Sequence, residues 1–158
     1  MILIMAVTHT GNLPVPGSGR SITVMHIPVI LGAVLSGPLV GALLGLIFGI
    51  SNCLDYPPYD WTVQVIPRVM IGLVASVVFL SAKHYAGRES RATVGAAVAA
   101  LAGSLTNTLG VTMIAVAKGY FSMQDMVGVA FLHGSIEALL AVIITLPVAV
   151  SIHHSPDA

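Results

Sequence analysis

Residues 25–52 read MHIPVILGAVLSGPLVGALLGLIFGISN. The run is almost entirely apolar, yet it carries Pro28 and Pro38 together with Gly32, Gly37, Gly41, Gly45 and Gly49. In the interior of a soluble helix each Gly or Pro costs about 1 to 3 kcal/mol. A membrane helix tolerates them, because neighbouring helices and local adjustments satisfy the freed backbone groups. Gly41, Gly45 and Gly49 recur at every fourth residue and share one helix face, where a second helix backbone can approach closely. The stretch therefore reads as tightly packed membrane helices.

The rest of the chain agrees. Of its 158 residues, 56% are hydrophobic and only 8% charged, against about 25% charged in soluble domains. Mean hydropathy is +0.98. Such a chain cannot cover a soluble surface, and residues 1–158 read as a single transmembrane domain. Net charge is zero, so no basic field points to nucleic acid. The single Cys53 excludes an internal disulfide, and no Cys/His cluster has metal-ligand spacing. His153 and His154 read as solvated tail. No metal and no cofactor are expected. There is no Walker A motif and no His-Glu-x-x-His, so the chain does not hydrolyse ATP itself. Gly17-Ser18-Gly19 has no flanking strand and helix to make a nucleophile elbow. MILIMAV at the start lacks the basic region of a cleavable signal.

Turn signals divide the apolar sequence into six segments: Met1 to about Thr8, His26 to Gly37, Pro38 to about Leu54, about Thr62 to Tyr85, Ala92 to Ala117, and Met123 to Ile152. Segments four to six each exceed the ~20 residues needed to cross a hydrocarbon core. Segments two and three are short and parted only by Ser36-Gly37-Pro38; they predict a tight helical pair or one broken helix. Eight residues rise only about 12 Å, so segment one cannot span. A shortened first helix, or a start upstream of Met1, is expected. The fold class is thus all-α, a six-helix membrane bundle with a shortened or truncated first helix.

The connections are uneven. Residues 9–24 are rich in Gly, Pro and Ser, and DYPPYDW at 55–61 suits the headgroup level. Lys83 to Arg91 holds three of the six basic residues, which places that connection on the cytoplasmic side. An even number of helices then puts both termini in the cytoplasm of a prokaryotic plasma membrane.

Charged groups at membrane depth are costly and face a cavity or a partner. Arg68 enters segment four, and Thr106-Asn107-Thr108 lies mid-segment in five. His133 and Glu137 are four residues apart in segment six, hence on one face. His26 and Asn52 sit at the outer ends of segments two and three. The functional reading gathers His26, Asn52, Arg68, Asn107, Thr108, His133 and Glu137 around one site open to the outer face. Arg68 would take a carboxylate or phosphate, and Asn107 with its threonines would take amide or hydroxyl groups. The structural alternative lets Arg68 snorkel or pair with Glu137 while Asn107 bonds a neighbouring helix. Gly41, Gly45 and Gly49, with Gly95 and Ala99 in segment five, are read as faces for packing against a partner; internal packing is the alternative for segment five. The methionines at 113, 123 and 126 read as packing.

These motifs resemble one family. HIPVILGAVLSGPLVGALLGLIFG at 26–49 is similar to the second and third helices of substrate-binding S components of energy-coupling factor (ECF) vitamin transporters. IPRVMIGLVA at 66–75 resembles their fourth helix, GSLTNT at 103–108 their fifth, and HGSIEALLAVIITLPV at 133–148 their sixth. The resemblance implies a small six-helix protein that binds a vitamin near the outer face. It implies partners: a transmembrane coupling subunit and two cytoplasmic ATPases. It also implies that the loop after the first helix closes over the ligand, with Arg20 and Thr23 in that lid. The Ala-x-x-x-Ala docking pattern of the family's first helix is reduced here to Ala6.

The mechanism implied is capture followed by reorientation of the whole bundle, driven by ATP in the partners. Pantothenate is the leading substrate: its carboxylate suits Arg68, and its amide and hydroxyls suit Asn107 and Thr108. Cobalamin, folate and other vitamins stay as alternatives. So do two other classes, an intramembrane enzyme using His133 and Glu137 and a structural or channel subunit. The first lacks a nucleophile or metal motif, and the second predicts a polar stripe that is absent.

Overall fold

Ser36-Gly37-Pro38 is a turn between two helices. Gly37 takes φ 91°, a left-handed conformation that a side chain disfavours, and its N–H closes on the Ala33 carbonyl at 3.1 Å. Pro38 then opens the next helix, where its missing N–H has no partner to lose. The two short apolar segments are thus α1 (His26–Ser36) and α2 (Pro38–Asp55).

The computed structural model describes residues 11–14, 21–55, 60–85 and 91–153. Segment one, and with it the shortened first helix, lies outside them. So does Arg20. Ahead of α1, β1 (Asn12–Pro14) pairs antiparallel with β2 (Ser21–Thr23), matching Asn12 to Thr23 and Pro14 to Ser21. This small hairpin is a departure from a purely helical chain. After α2 come the single turn α3 (Trp61–Gln64), α4 (Ile66–Tyr85), α5 (Arg91–Ala117) and α6 (Met123–His153). Residues 61–82, 92–117 and 126–152 are long and apolar enough to cross a membrane, while α1 and α2 are shorter.

Segment four divides in two at Val65, and the cause is Pro67. In a continuous helix the Val63 carbonyl would accept from the N–H of residue 67, which proline lacks. The Arg68 guanidinium replaces it, Nη1 donating to the Val63 carbonyl at 2.9 Å. Asp60 caps the N-terminal end of α3: its Oδ1 accepts from the Thr62 N–H at 2.9 Å and from the Thr62 hydroxyl at 2.6 Å.

α1 is the centre of the bundle, packed against α2, α4, α5 and α6. It buries Ile27, Val29, Ile30, Ala33 and Val34 against Phe48, Ile71, Ala75 and Phe79, with Ala96, Ala99, Ala100 and Ala141 closing the core. Leu39, Leu43, Ile50 and Leu54 of α2 face outward, as lipid contact requires.

The small-residue faces expected to receive a partner are filled from within the chain, and that expectation is corrected. Gly41 and Gly45 meet α4, and Gly49 meets the junction of α3 and α4. A Cβ at Gly41 would lie 3.0 Å from the Gly72 Cα, one at Gly49 would lie 2.7 Å from the Val65 Cα, and one at Gly45 would overlap the Arg68 carbonyl. The two backbones touch along three turns, leaving no room for an outside helix. Gly95 packs on the Phe79 ring, and Ala99 is wholly buried.

Candidate functional site

Several of the polar residues expected at membrane depth come together inside the bundle, and Glu137 is their centre. The Glu137 side chain is 5% exposed. Its Oε1 accepts from the Thr23 backbone N–H at 2.9 Å. Its Oε2 accepts from the Thr108 hydroxyl at 3.2 Å and from Asn107 Nδ2 at 3.5 Å. One carboxylate therefore joins the hairpin, α5 and α6. The approach of α5 to α6 depends on Gly134, whose Cβ position would lie 3.1 Å from Thr108 Cγ2.

Arg68, also 5% exposed, reaches the region from α4. Beyond its bond to Val63 it stands over the Phe48 ring, 5.2 Å from the centroid, a cation–π arrangement that helps hold a charge away from water. Its Nε is buried with no hydrogen-bond partner among the described residues. No ion pair within 4.0 Å joins Arg68 and Glu137. The structural alternative for Arg68, direct pairing with Glu137, is therefore not what the side chain does.

His26 opens α1 and is completely buried. Neither ring nitrogen makes a hydrogen bond of good geometry among the described residues. The Oδ1 of Asn107 is likewise buried without one. Buried polar atoms left unpaired cost about 1 to 3 kcal/mol each. Here three side chains from α1, α4 and α5 carry such atoms around one carboxylate. Together they present donors from Arg68, an acceptor from Asn107 and an imidazole that serves as either.

The remaining expected residues divide. Thr23 is in the cluster, through its backbone rather than its side chain. His133 sits one helical turn before Glu137, half-buried. Asn52 is buried near the C-terminal end of α2 and makes no hydrogen bond to the cluster. Thr106 turns away and bonds its own helix at the Ala102 carbonyl, 2.7 Å distant. Two contributors had no motif of their own. Phe48 reads as one more apolar residue, and its place under Arg68 follows from the α2–α4 packing. The Val63 carbonyl was signalled only by the proline four residues on.

A second polar group lies outside the spans. Asp60 Oδ2 accepts from Lys118 Nζ at 2.8 Å and from the Tyr120 hydroxyl at 3.1 Å, tying the start of α3 to the turn between α5 and α6. Lys118, then Thr62, hold the Asp60 carboxyl well below the usual carboxylate range. Asp60 in turn raises Lys118.

The chain matches the family described as "ECF transporter, substrate-specific component" over residues 1–152. It is also similar to the pantothenic acid transporter PanT of Lactococcus lactis subsp. cremoris (strain MG1363), with 28% identity over 151 residues that cover 78% of this chain and 73% of the relative. A match over nearly the whole chain, apolar helices of membrane-spanning length and a buried polar cluster lead to one conclusion: the chain is a membrane protein belonging to the family of substrate-specific components of ECF transporters.

Proposed function

We propose that the chain captures pantothenate at the outer face of the plasma membrane, in the region bounded by α1, α4, α5, α6 and the hairpin. The observation that carries this reading is the set of buried polar atoms on His26, Arg68 and Asn107 near Glu137 that have no partner among the described residues. Pantothenate offers what each lacks. Its carboxylate accepts from Arg68, a charge-assisted bond stronger than a neutral one. Its amide N–H or a hydroxyl donates to Asn107 Oδ1, and its second hydroxyl reaches His26 or Thr108. His133 and Asn52 line the approach. The likeness to PanT supports the same substrate.

Delivery to the cytoplasm falls to partners, a transmembrane coupling subunit and two ATPases, with Arg20 and Thr23 in the loop that covers the ligand. The basic connection 83–91 faces the cytoplasm, as do both termini. Isothermal titration of the purified protein with pantothenate, cobalamin and folate tests the reading. Pantothenate is expected to bind with Kd below about 1 μM, equivalent to about −8 kcal/mol. Binding of another vitamin at that strength reassigns the substrate. Binding of none defeats the proposal.

A further inference from the structure

Gly103, Asn107 and Gly110 follow one another at four and three residues in α5, so they share one helix face. That face meets the first turns of α4. A Cβ at Gly103 would lie 3.4 Å from Ile71 Cγ2, and one at Gly110 would lie 2.9 Å from Pro67 Cβ. Asn107 stands between the two glycines, and Arg68 follows Pro67 directly. The two side chains therefore come from facing turns of α4 and α5.

The two glycine contacts differ in kind. At Gly103 the nearest atoms are Ile30 Cγ1 and Cδ1, at 2.7 and 2.9 Å, and these can rotate aside. At Gly110 the nearest are Pro67 Cβ and Cγ, at 2.9 and 3.5 Å, in a ring locked to its own backbone. Carbon atoms pack at about 3.5 to 4.0 Å, so a side chain at 110 fits only if the two backbones part. The bare backbone of Gly110 thus sets how near the start of α4 comes to α5. Arg68 Nε and Asn107 Oδ1 are buried and have no partner among the described residues. A ligand that satisfies both must carry its anionic end and its donor at the matching separation.

We infer that Gly110 is a specificity-determining residue: its contact with Pro67 fixes the span from Arg68 to Asn107, and with it the length of carboxylate arm the site accepts. The inference rests on the proposed capture of pantothenate, whose carboxylate and amide N–H are separated by two methylene groups, and adds what selects that spacing. Relaxing the Gly110 contact to ordinary packing parts the backbones by up to about 1 Å. One more bond in an extended chain adds about as much, roughly 1.2 Å. The widened span suits an arm one methylene longer.

Titration calorimetry of the full chain provides the test, with pantothenate and with its homologues one methylene shorter (pantoyl-glycine) and one longer (pantoyl-γ-aminobutyrate). The unaltered protein is expected to bind pantothenate at least about tenfold more tightly than either, the discrimination one methylene commands in a shaped site. In Gly110→Ala the preference for pantothenate over the longer homologue is expected to fall at least about tenfold. Gly103→Ala is expected to leave that preference unchanged, because Ile30 gives way there and α4 does not. Should Gly110→Ala not fold, Arg68→Lys carries the test. It leaves the helix contact alone and retracts the charge toward α4, so pantothenate is expected to lose its lead over the longer homologue. Equal binding of the three ligands by the unaltered protein overturns the inference. So does uniform weakening of all three in Gly110→Ala, the mark of a structural role alone. A Gly103→Ala variant that shifts the preference as far, or an Arg68→Lys variant that keeps it, has the same consequence. Failure of the unaltered protein to bind pantothenate at all is a different outcome: it removes the proposed substrate, and this inference with it.

Discussion

The α2–α4 seam and the Glu137 cluster lie within one bundle and obey opposite rules. Along the seam, Gly41, Gly45 and Gly49 meet Gly72, Arg68 and Val65 backbone to backbone. Nothing there can be added, and no polar side chain is needed. Around Glu137, donors and acceptors outnumber their partners: Asn107 Oδ1, Arg68 Nε and both His26 nitrogens are buried and unmatched among the described residues. The seam holds the scaffold together by close contact. The cluster carries a cost that the scaffold must outweigh, and such cost is tolerated where it serves binding. Arg68 belongs to both regions. Its backbone forms part of the seam, and its guanidinium is part of the cluster.

The sharpest way to break this comparison is Gly45→Leu. A side chain there meets the Arg68 carbonyl, which cannot move without disrupting α4. The expected cost is about 4 kcal/mol or more, seen as loss of monodisperse protein on size-exclusion chromatography whether or not pantothenate is present. A normally folded Gly45→Leu would show that the seam is looser than the glycines imply.

Arg68→Ala should do the reverse. It is expected to weaken pantothenate binding by about 2 to 4 kcal/mol, roughly 30- to 1,000-fold. Melting should shift only as far as the orphaned Val63 carbonyl dictates, about 1 to 3 kcal/mol. Titration calorimetry and thermal unfolding together separate the two effects. Unchanged affinity removes Arg68 from the site.

The smallest effect belongs to Asp60, which lies in neither region. Its carboxyl is held below its ordinary value of 3.8, first by Lys118. A carboxyl depressed on folding adds stability above the unfolded value and loses it as pH falls through the folded value. The contribution of the Lys118 tie is therefore complete above about pH 4 and fades only in stronger acid. Lys118 is 41% exposed, so water and salt screen the pair. Asp60→Asn should lower the melting temperature slightly at neutral pH, and the difference from the unaltered protein should shrink below pH 4. An undiminished difference in strong acid would assign the effect to the Thr62 cap instead.

The helical segments were legible because their signals are local. Gly37 and Pro38 mark the α1–α2 turn by what their backbones permit, and the observed α1, α2, α5 and α6 differ from the expected segments by a residue at an end. The division at Val65 was present as Val63 and Pro67, but its meaning depends on which group replaces the lost N–H. The site was legible as a set of residue types. Arg68, Asn107, Thr108 and Glu137 stood out because polarity at membrane depth is expensive. Thr106 shows the limit of that rule, since a threonine in a helix can satisfy itself on its own backbone. The glycine faces show another: periodicity says that something packs closely, and says nothing about what.

By itself, then, the sequence determined that this protein lies in the membrane, where α1, α2, α5 and α6 begin and end to within a residue, and which few side chains are too polar to face lipid. These follow from transfer energies and backbone chemistry, which act residue by residue. Only the tertiary structure decided that α4 fills the glycine face of α2 and that Phe48 lies beneath Arg68. It alone brought Thr23, Asn107 and Thr108 to a single carboxylate across separations of 114, 30 and 29 residues. Pairings at such distances depend on how whole helices settle against one another, and no local rule along the chain encodes them.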